Sequence, residues 1–245
     1  MFRHTGKARN FSHNLKIASL LSFIAGIVNV AGFLAVQRLT TNVTGHFAFF
    51  VDEVFKLNFV KGFIYFLYIF FFFAGSFVSN LLVEIISRKN EHYIYIFPVS
   101  LECLILFTIG FFGEGFIGKS PDIIAFSLLF AMGLQNSLVT TISNANVRTT
   151  HLTGLFTDLG IELSQLFFYK TKTHRNKLLS SIKLRSTIIG CFFIGGITGG
   201  IFYSKIGLNV LVFAATTLVA GVIYDSVKFK IILLRRKFKG QQAKL

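Results

Sequence analysis

The residue with the clearest chemical potential in this sequence is Glu102, which lies within the apolar run "FPVSLECLILF". An ionised carboxylate inside a membrane span costs about 2.5 kcal/mol or more, so acidic residues in such positions are usually paired or functional. Glu102 is therefore a candidate proton-coupling or cation site, or a charge partner of Arg38 or Arg148. An uncharged Glu102 that hydrogen-bonds a neighbouring helix is an equal alternative.

A second group of candidates lies in two nearly identical polar segments. We call "LTTNVTGHF" (Leu39–Phe47) the first Thr motif and "RTTHLTGLF" (Arg148–Phe156) the second Thr motif. Their uncharged donors and acceptors, with amide side chains in the preceding apolar stretches, are suited to replace the water shell of a solute. The candidate substrate-binding residues are Asn29, Thr41, Asn42, Thr44, Gly45, Gln135, Asn136, Arg148, Thr150, Thr153 and Gly154. The alternatives are hydrogen bonds between helices for the amides and a role in membrane topology for the arginine.

The sequence contains no pattern typical of a catalytic, metal or nucleotide site. Its 2 Cys and 6 His residues lack redox or metal-ligand spacing, and there is no P-loop and no Gly-x-Gly-x-x-Gly segment after a strand. We therefore predict that the protein is not an enzyme and has no catalytic residue, metal or cofactor. An intramembrane enzyme would need several acidic, His or Cys side chains converging in one leaflet, and only Glu102 lies well inside a span.

The elements that must position these residues are predicted to be transmembrane helices. Of the 245 residues, 53% are hydrophobic and 14% are charged, with a mean hydropathy of +0.67, whereas soluble domains carry about 25% charged residues. The sequence predicts an all-α polytopic membrane protein with about six transmembrane helices, each of roughly twenty residues. The predicted spans are Ile17–Val36, Phe59–Ile86, Tyr93–Phe112, Ile123–Ile142, Thr187–Tyr203 and Leu208–Tyr224.

The distribution of basic residues predicts the orientation. With the N-terminus inside, the predicted inner segments hold 20 of the 25 Lys and Arg residues. This bias places both termini in the cytoplasm and accounts for the net charge of +15 without a nucleic-acid partner. We divide the chain into a basic N-terminus (1–16), a membrane domain (17–227) and a basic tail (228–245). The expected partners are the lipid bilayer and an unidentified small solute, and the oligomeric state is left open.

The two Thr motifs mark an internal repeat. Segments 40–59 and 149–168 share 8 of 20 residues at a constant offset of 109, and upstream "GIVN" (26–29) corresponds to "GLQN" (133–136). Downstream, "FFFAGSFVS" (71–79) resembles "CFFIGGITG" (191–199), and each carries two small residues four apart, which lets helices approach closely. The chain is thus predicted to hold two three-span repeats, about 17–113 and 122–226. Because three is odd, the second repeat must be inverted in the membrane, as in many secondary transporters.

Each Thr motif interrupts the helical pattern, because Thr, Asn and His side chains compete for backbone hydrogen bonds. An amphipathic stretch follows each motif, and Thr44 and Thr153 are predicted to be its N-caps. Glu53 and Glu162 occupy equivalent positions on these stretches, where a solvated face is the simplest interpretation. A break at membrane depth must line a cavity or be buried in protein, whereas a break at the interface is a surface loop. The sequence leaves both alternatives open.

Several of these segments together resemble a known family. Gly26–Leu34 with Thr41–Gly45, then "MGLQNSLVTT" (132–141) and "RTTHLTG" (148–154), resemble the YoaK-like bacterial membrane proteins, a family of unknown function. The likeness extends from about Leu20 to Val227. This chain has Asn29 where the family often has Asp, and His46-Phe47 where it often has Asn-Thr. The resemblance implies a six-helix, multi-pass protein of the bacterial inner membrane and implies no particular substrate.

These features favour a secondary transporter or permease for a small solute. The Thr motifs would line one path with Asn29, Asn136 and Glu102, and the carboxylate would take up a proton. The alternatives are a non-transporting membrane scaffold or stress-related partner protein and, third, an intramembrane enzyme. A permease predicts that the two Thr motifs face each other near the midplane, whereas a scaffold predicts that they lie at the surfaces.

Overall fold

The computed structural model describes residues 2, 10–88, 93–143, 145 and 147–242, which form α-helices and turns and no β-strand. Most of the predicted basic N-terminus, and residues 243–245 of the predicted tail, lie outside the described residues. The helices are α1 (Phe11–Val36), α2 (Thr44–Phe55), α3 (Phe59–Ser87), α4 (Ile96–Phe112), α5 (Glu114–Ile117), α6 (Pro121–Ile142), α7 (Leu152–Gln165), α8 (Lys172–Ile206) and α9 (Val210–Gln242).

Long apolar helices dominate the part of the chain that the structure describes. Four stretches there are long and apolar enough to cross a membrane: Phe11–Val36, Phe59–Ser87, Pro121–Ile142 and Lys172–Lys228. The predicted all-helical membrane architecture is therefore confirmed. The fourth stretch contains two of the predicted spans, because a 3-10 turn at Gly207–Asn209 separates α8 from α9. The helix of the third predicted span, α4, has only 17 residues.

The turn between α8 and α9 depends on a glycine. Gly207 has a φ of +58°, which side chains other than glycine rarely adopt, and a Cβ there would overlap Glu114 Oε1. The same Glu114 oxygen accepts a hydrogen bond from the Leu208 backbone N–H at 2.7 Å. The carboxylate on α5 thus satisfies an otherwise unpaired donor ahead of α9.

Helices α1 and α8 pack so closely that backbone meets backbone. A Cβ on Gly26 would overlap the Phe192 carbonyl oxygen, and a Cβ on Gly195 would overlap the Phe23 carbonyl oxygen. The two helices run parallel, since Phe23 lies against Gly195 and Ile27 against Gly199. The predicted close approach at these small residues is confirmed.

Helices α3 and α6 form a second pair with the same geometry. A Cβ on Gly75 would overlap the Phe130 carbonyl oxygen, and a Cβ on Gly133 would overlap the Phe72 carbonyl oxygen. This pair is also parallel, since Tyr68 contacts Phe126 and Gly75 lies against Phe130. Gly133 corresponds to Gly26 and Gly75 to Gly195 in the sequence repeat, so each glycine contact in one pair has a counterpart in the other.

Equivalent helices of the two halves cross in opposite directions. Gln135 of α6 hydrogen-bonds the Leu21 carbonyl oxygen of α1, while a Cβ on Gly32 would touch Leu128. Likewise, Cys103 of α4 lies 3.9 Å from the α9 carbonyl oxygen of Ala215, whereas Gly110 of α4 meets the earlier α9 residue Val212. The α1–α6 and α4–α9 crossings are thus both antiparallel.

The core lies around α1 and α6. In both helices 61% of the apolar window is buried, against 17% in α3. Helix α3 presents a row of exposed rings, Phe63, Phe66, Phe70, Phe73 and Phe77. An exposed apolar face of this length is typical of contact with lipid.

Candidate functional site

The first Thr motif folds back along α1 instead of leaving the helix bundle. After the end of α1, Gln37 adopts a left-handed conformation with a φ of 52° that turns the chain. Thr40 Oγ1 then donates a hydrogen bond to the Val28 carbonyl oxygen at 3.2 Å. Thr41 Oγ1 donates one to Asn29 Oδ1 at 2.6 Å. Asn29 lies seven residues before the end of α1, so at 1.5 Å per residue the motif returns about 10 Å along the helix.

The second Thr motif folds back along α6 in the same way. Gln135 Nε2 donates to Thr149 Oγ1 at 3.0 Å, and that hydroxyl donates to Asn136 Oδ1 at 3.0 Å. Asn136 Nδ2 in turn donates to Thr150 Oγ1 at 2.8 Å. Asn136 lies six residues before the end of α6, or about 9 Å. Thr40, Thr41 and Thr149 are buried, so both Thr pairs lie inside the bundle.

The amphipathic helices α2 and α7 begin differently from our prediction. Thr44 and Thr153 are exposed residues of the first helical turn, and neither side chain caps its helix. At α2, Asn42 performs this task, because its Oδ1 accepts the Gly45 backbone N–H at 3.2 Å. The N-terminus of α7 has no side-chain cap. The prediction of Thr N-caps was therefore wrong, and at α2 the side chain that reaches the free N–H lies two residues earlier.

The two Thr motifs form separate clusters. Gln135 is anchored at the Leu21 carbonyl oxygen of α1, with 3.2 Å between the two atoms, whereas Thr41 binds Asn29. Leu21 and Asn29 are eight residues apart on one helix, which corresponds to roughly 12 Å. The candidate residues therefore gather as Asn29 with Thr41 at one level, and as Gln135, Asn136 and Thr150 at another.

Glu102 is buried on α4, where the next residue, Cys103, lies against α9. Glu102 is 1% exposed, and its Oε1 has no hydrogen-bond partner among the described residues. No ion pair joins it to Arg38 or Arg148 in that part of the chain, so the expected charge partner is not there. Two other core atoms, Ser22 Oγ and Gln135 Oε1, are also buried without a partner. Buried polar atoms in native proteins are usually hydrogen-bonded, so these three are candidates for contact with a solute or water.

A partly buried cluster that the sequence did not reveal ties the first Thr motif to α3 and α6. The Tyr68 hydroxyl donates to Asp122 Oδ1 and accepts from Arg38 Nε, which lies 3.2 Å away. Arg38 Nε lies 3.7 Å from the same Asp122 oxygen. The ring of His46 packs 4.5 Å from the Tyr68 ring, and its Nε2 lies 2.6 Å from the Leu39 carbonyl oxygen. Burial lowers the pKa of His46, so the neutral ring donates from Nε2.

The corresponding end of the second half carries a different set of charges. Arg185 of α8 pairs through Nε with Glu162 Oε2 and through Nη1 with Asp158 Oδ2, both at 2.9 Å. Ser181 donates to the other Glu162 oxygen at 2.5 Å. Glu162 is thus an ion-pair partner between α7 and α8, and not part of a solvated face. The carboxylate of its repeat counterpart Glu53 makes no hydrogen bond or ion pair with the described residues.

A polar cavity of about 430 Å³ opens beside this ion-pair cluster, between α7 and α8. Two of the predicted site residues, Arg148 and Gly154, line it with Arg185 on the opposite helix. Arg148 is exposed and has no hydrogen-bond or ion-pair partner among the described residues. At the offset of 109 the position equivalent to Arg148 is Leu39. The nearby Arg38 directs its guanidinium to Tyr68 and Asp122.

The described polar groups offer three kinds of chemistry. No group of three or more His, Cys, Asp or Glu residues is placed to hold a metal ion in the described ranges. The Thr and amide clusters offer uncharged donors and acceptors, Glu102 offers one carboxyl group for proton uptake, and the α7–α8 cavity offers cationic donors.

Comparison with known proteins identifies one family. Residues 17–224 match the model of a family described as "Protein of unknown function (DUF1275)". The match covers both halves of the internal repeat and confirms the resemblance to an uncharacterised membrane-protein family. No curated protein and no solved structure shows a significant match.

Proposed function

We propose that this chain, which belongs to the DUF1275 family of proteins of unknown function, is a secondary transporter or permease for a small solute. It would lie in the bacterial inner membrane with six spans, α1, α3, α4, α6, α8 and α9, and with both termini in the cytoplasm. The first three spans and the last three form two inverted repeats.

The direction of the helices supports inversion. If a three-span unit is duplicated in tandem, the first span of one copy runs parallel to the second span of the other. The α1–α8 and α3–α6 pairs both have this relation. Equivalent spans then run antiparallel, as α1 and α6 do, and as α4 and α9 do. If the two copies had the same orientation in the membrane, equivalent spans would run parallel. The first span of one copy would then run antiparallel to the second span of the other.

The observation that carries the proposal is the pair of Thr motifs folded back into the bundle from opposite ends. Irregular backbone inside a bilayer is tolerated where it is buried in protein or lines a water-filled path. Interrupted helices at inverted positions are a recurrent feature of solute sites in secondary transporters. In this arrangement a solute would meet Asn29 and Thr41 from one side, and Asn136 and Thr150 from the other.

The glycine contacts suggest which parts move. Backbone-to-backbone packing makes α1–α8 one rigid body and α3–α6 another, so rocking would take place between these pairs and not between the sequence repeats. Glu102 on α4 would couple the motion to a proton. Its buried carboxyl group has no charged partner among the described residues, so it can lose a proton only when its surroundings admit water or a solute.

A membrane scaffold is the second candidate, and one observation favours it. Asn136 and Thr150 are hydrogen-bonded to each other, as are Asn29 and Thr41, so the motifs do not require a solute to satisfy these bonds. An intramembrane enzyme has less support, because Glu102 makes no hydrogen bond or ion pair with another acidic, His or Cys side chain among the described residues.

An uptake assay separates the two candidates. Purified protein is reconstituted into liposomes that contain a pH-sensitive dye, and inward gradients of amino acids, carboxylates, sugars and amines are applied one at a time. A proton-coupled permease gives a solute-dependent pH change that Glu102→Gln abolishes while the protein still reconstitutes. If uptake persists in Glu102→Gln with an unchanged pH profile, the residue is not the coupling group. If no solute moves, the scaffold is favoured.

A further inference from the structure

We propose that the cavity between α7 and α8 binds a phosphate group, with the headgroup of an anionic phospholipid as the favoured source. This site is distinct from the proposed solute path, because it lies on the α7–α8 side of the second Thr motif and involves neither Glu102 nor the amides. It holds whether or not the protein transports a solute.

The size and lining of the cavity suit such a group. Its volume of about 430 Å³ falls within the range of small-molecule sites, about 300–1,000 Å³. The polar residues around it are Arg148, His151, Asp158, Ser181 and Arg185. A neighbouring cavity of about 390 Å³ shares Ser181 and adds Lys177 and His174, so the basic lining continues along the groove.

Arg185 is held in place for an incoming ligand. Its Nε and Nη1 atoms are fixed by Glu162 and Asp158, both at 2.9 Å, and its side chain is 24% exposed. Nη2 has no partner among the described residues. A guanidinium that is already oriented loses little conformational entropy when it donates one more hydrogen bond. Asp158 and Glu162 together outnumber the single charge of Arg185. Arg148 and Lys177 make the groove net positive again.

Arg148 supplies the second guanidinium, and it has no other task in the described structure. It lines the cavity from the second Thr motif, opposite α8, so the two arginines face one space. Planar guanidinium groups bind phosphate through paired N–H···O bonds, which makes two of them on one cavity a typical phosphate site. At the offset of 109 the first half has Leu39 in the place of Arg148, and the nearby Arg38 binds Tyr68 and Asp122. The repeat therefore does not account for Arg148.

The surroundings favour a lipid as the source of the phosphate. Helix α7 and the turn after it leave large apolar side chains exposed, with Phe156 at 50%, Phe167 at 82% and Phe168 at 80%. Exposed basic residues follow at once, namely Lys170, Lys172 and Arg175. An apolar face next to basic residues is typical of a helix that lies at the membrane interface, where anionic headgroups are attracted to Lys and Arg. The cavity then opens at headgroup level.

The test compares two single arginine changes on the full chain. Purified protein in mild detergent is titrated with phosphatidylglycerol or phosphatidylcholine, and bound lipid is measured by native mass spectrometry. In a second arm, binding of radiolabelled inorganic phosphate is measured by equilibrium dialysis. Arg148→Gln removes a guanidinium from the cavity, whereas Arg175→Gln removes the same charge from an exposed position of α8 outside it. We expect phosphatidylglycerol affinity to fall about tenfold in Arg148→Gln and less than threefold in Arg175→Gln.

Each outcome decides the proposal. A selective loss of phosphatidylglycerol binding in Arg148→Gln supports a lipid phosphate, and a selective loss in the inorganic phosphate arm alone supports a soluble one. Equal losses in both variants would indicate diffuse surface charge and overturn the site, as would binding that Arg148→Gln leaves unchanged. Because Arg148 is exposed and unpaired, its variant should melt at the wild-type temperature. A failed uptake assay has no bearing on any of these results.

Discussion

The two ends of the bundle, one with α2 and one with α7, share a backbone plan and differ in their chemistry. At both ends a Thr pair turns back onto an Asn of the preceding helix and an amphipathic helix follows. At the α2 end Arg38 is held in a partly buried cluster with Tyr68 and Asp122. At the α7 end Arg148 faces a cavity and has no partner among the described residues. The Thr–Asn hydrogen bonds therefore fix the course of the backbone at both ends. The charged residues decide whether an end is filled by an ion-pair cluster or contains a cavity.

The largest loss of stability is expected at the glycine contacts, where the two helix pairs should be equally sensitive. Gly195→Val and Gly75→Val each place a side chain against a backbone carbonyl, at Phe23 and Phe130, where nothing flexible can move aside. Both should lose at least about 3 kcal/mol of stability, the upper range for overpacking, or fail to fold. The measurement is the monodisperse fraction on size-exclusion chromatography after extraction. Gly190→Val on α8 is the control, because its Cβ would meet nothing within 4 Å. Damage from only one of the two changes would break the equivalence of the helix pairs.

A smaller and unequal effect is expected at the arginines. Arg38→Gln leaves the partly buried Tyr68–Asp122 pair without its cation. It should cost about 1 kcal/mol, because about a third of each charged side chain is exposed to solvent. Arg148→Gln removes no contact among the described residues and should stay within about 0.5 kcal/mol of wild type. Thermal unfolding in detergent, monitored by circular dichroism at 222 nm, measures both. Equal melting temperatures of the two variants would show that Arg38 contributes no more to stability than Arg148 does.

The smallest effect on stability is expected from a change of pH, which acts through His46 at the α2 end. Burial lowers the pKa of His46 below its usual 6.5, so the unfolded chain binds a proton at a higher pH than the folded one. His46 therefore lowers stability as the pH falls below about 6.5, by at most about 1.4 kcal/mol per pH unit. Unfolding temperatures at pH 8 and pH 5.5 should differ less in His46→Gln than in wild type. The exposed His151 provides the control, since His151→Gln should retain the wild-type difference.

The helices and their correspondence could be predicted from the sequence because both depend on local information. An apolar run identifies a span wherever it packs, and an offset of 109 identifies equivalent residues. The glycines at 75 and 195 could be recognised as points of close approach. Their partners could not, since Phe23 and Gly195 are brought together only by the complete fold.

The polar sites were predicted less well, for a related reason. The Thr motifs could be recognised because they interrupt a pattern and occur twice. The Tyr68–Asp122 contact joins two residues 54 positions apart, and neither stands out in its own stretch. The role of Glu162 depends on Arg185 of another helix, so its position on an amphipathic face suggested solvent instead. Side chains whose role is set by a distant partner give no local signal.

The pairing of α1 with α8 also has a consequence for how the protein is made. Phe23 and Gly195 are 172 residues apart, so α1 leaves the ribosome long before its glycine-packed partner exists. At about 5–20 residues per second this interval lasts roughly 10–30 s. During it α1, with its half-buried Asn29, must be sheltered by the insertion machinery or by lipid. A chain that stops before α8 would leave α1 as an orphan helix and expose it to membrane quality control.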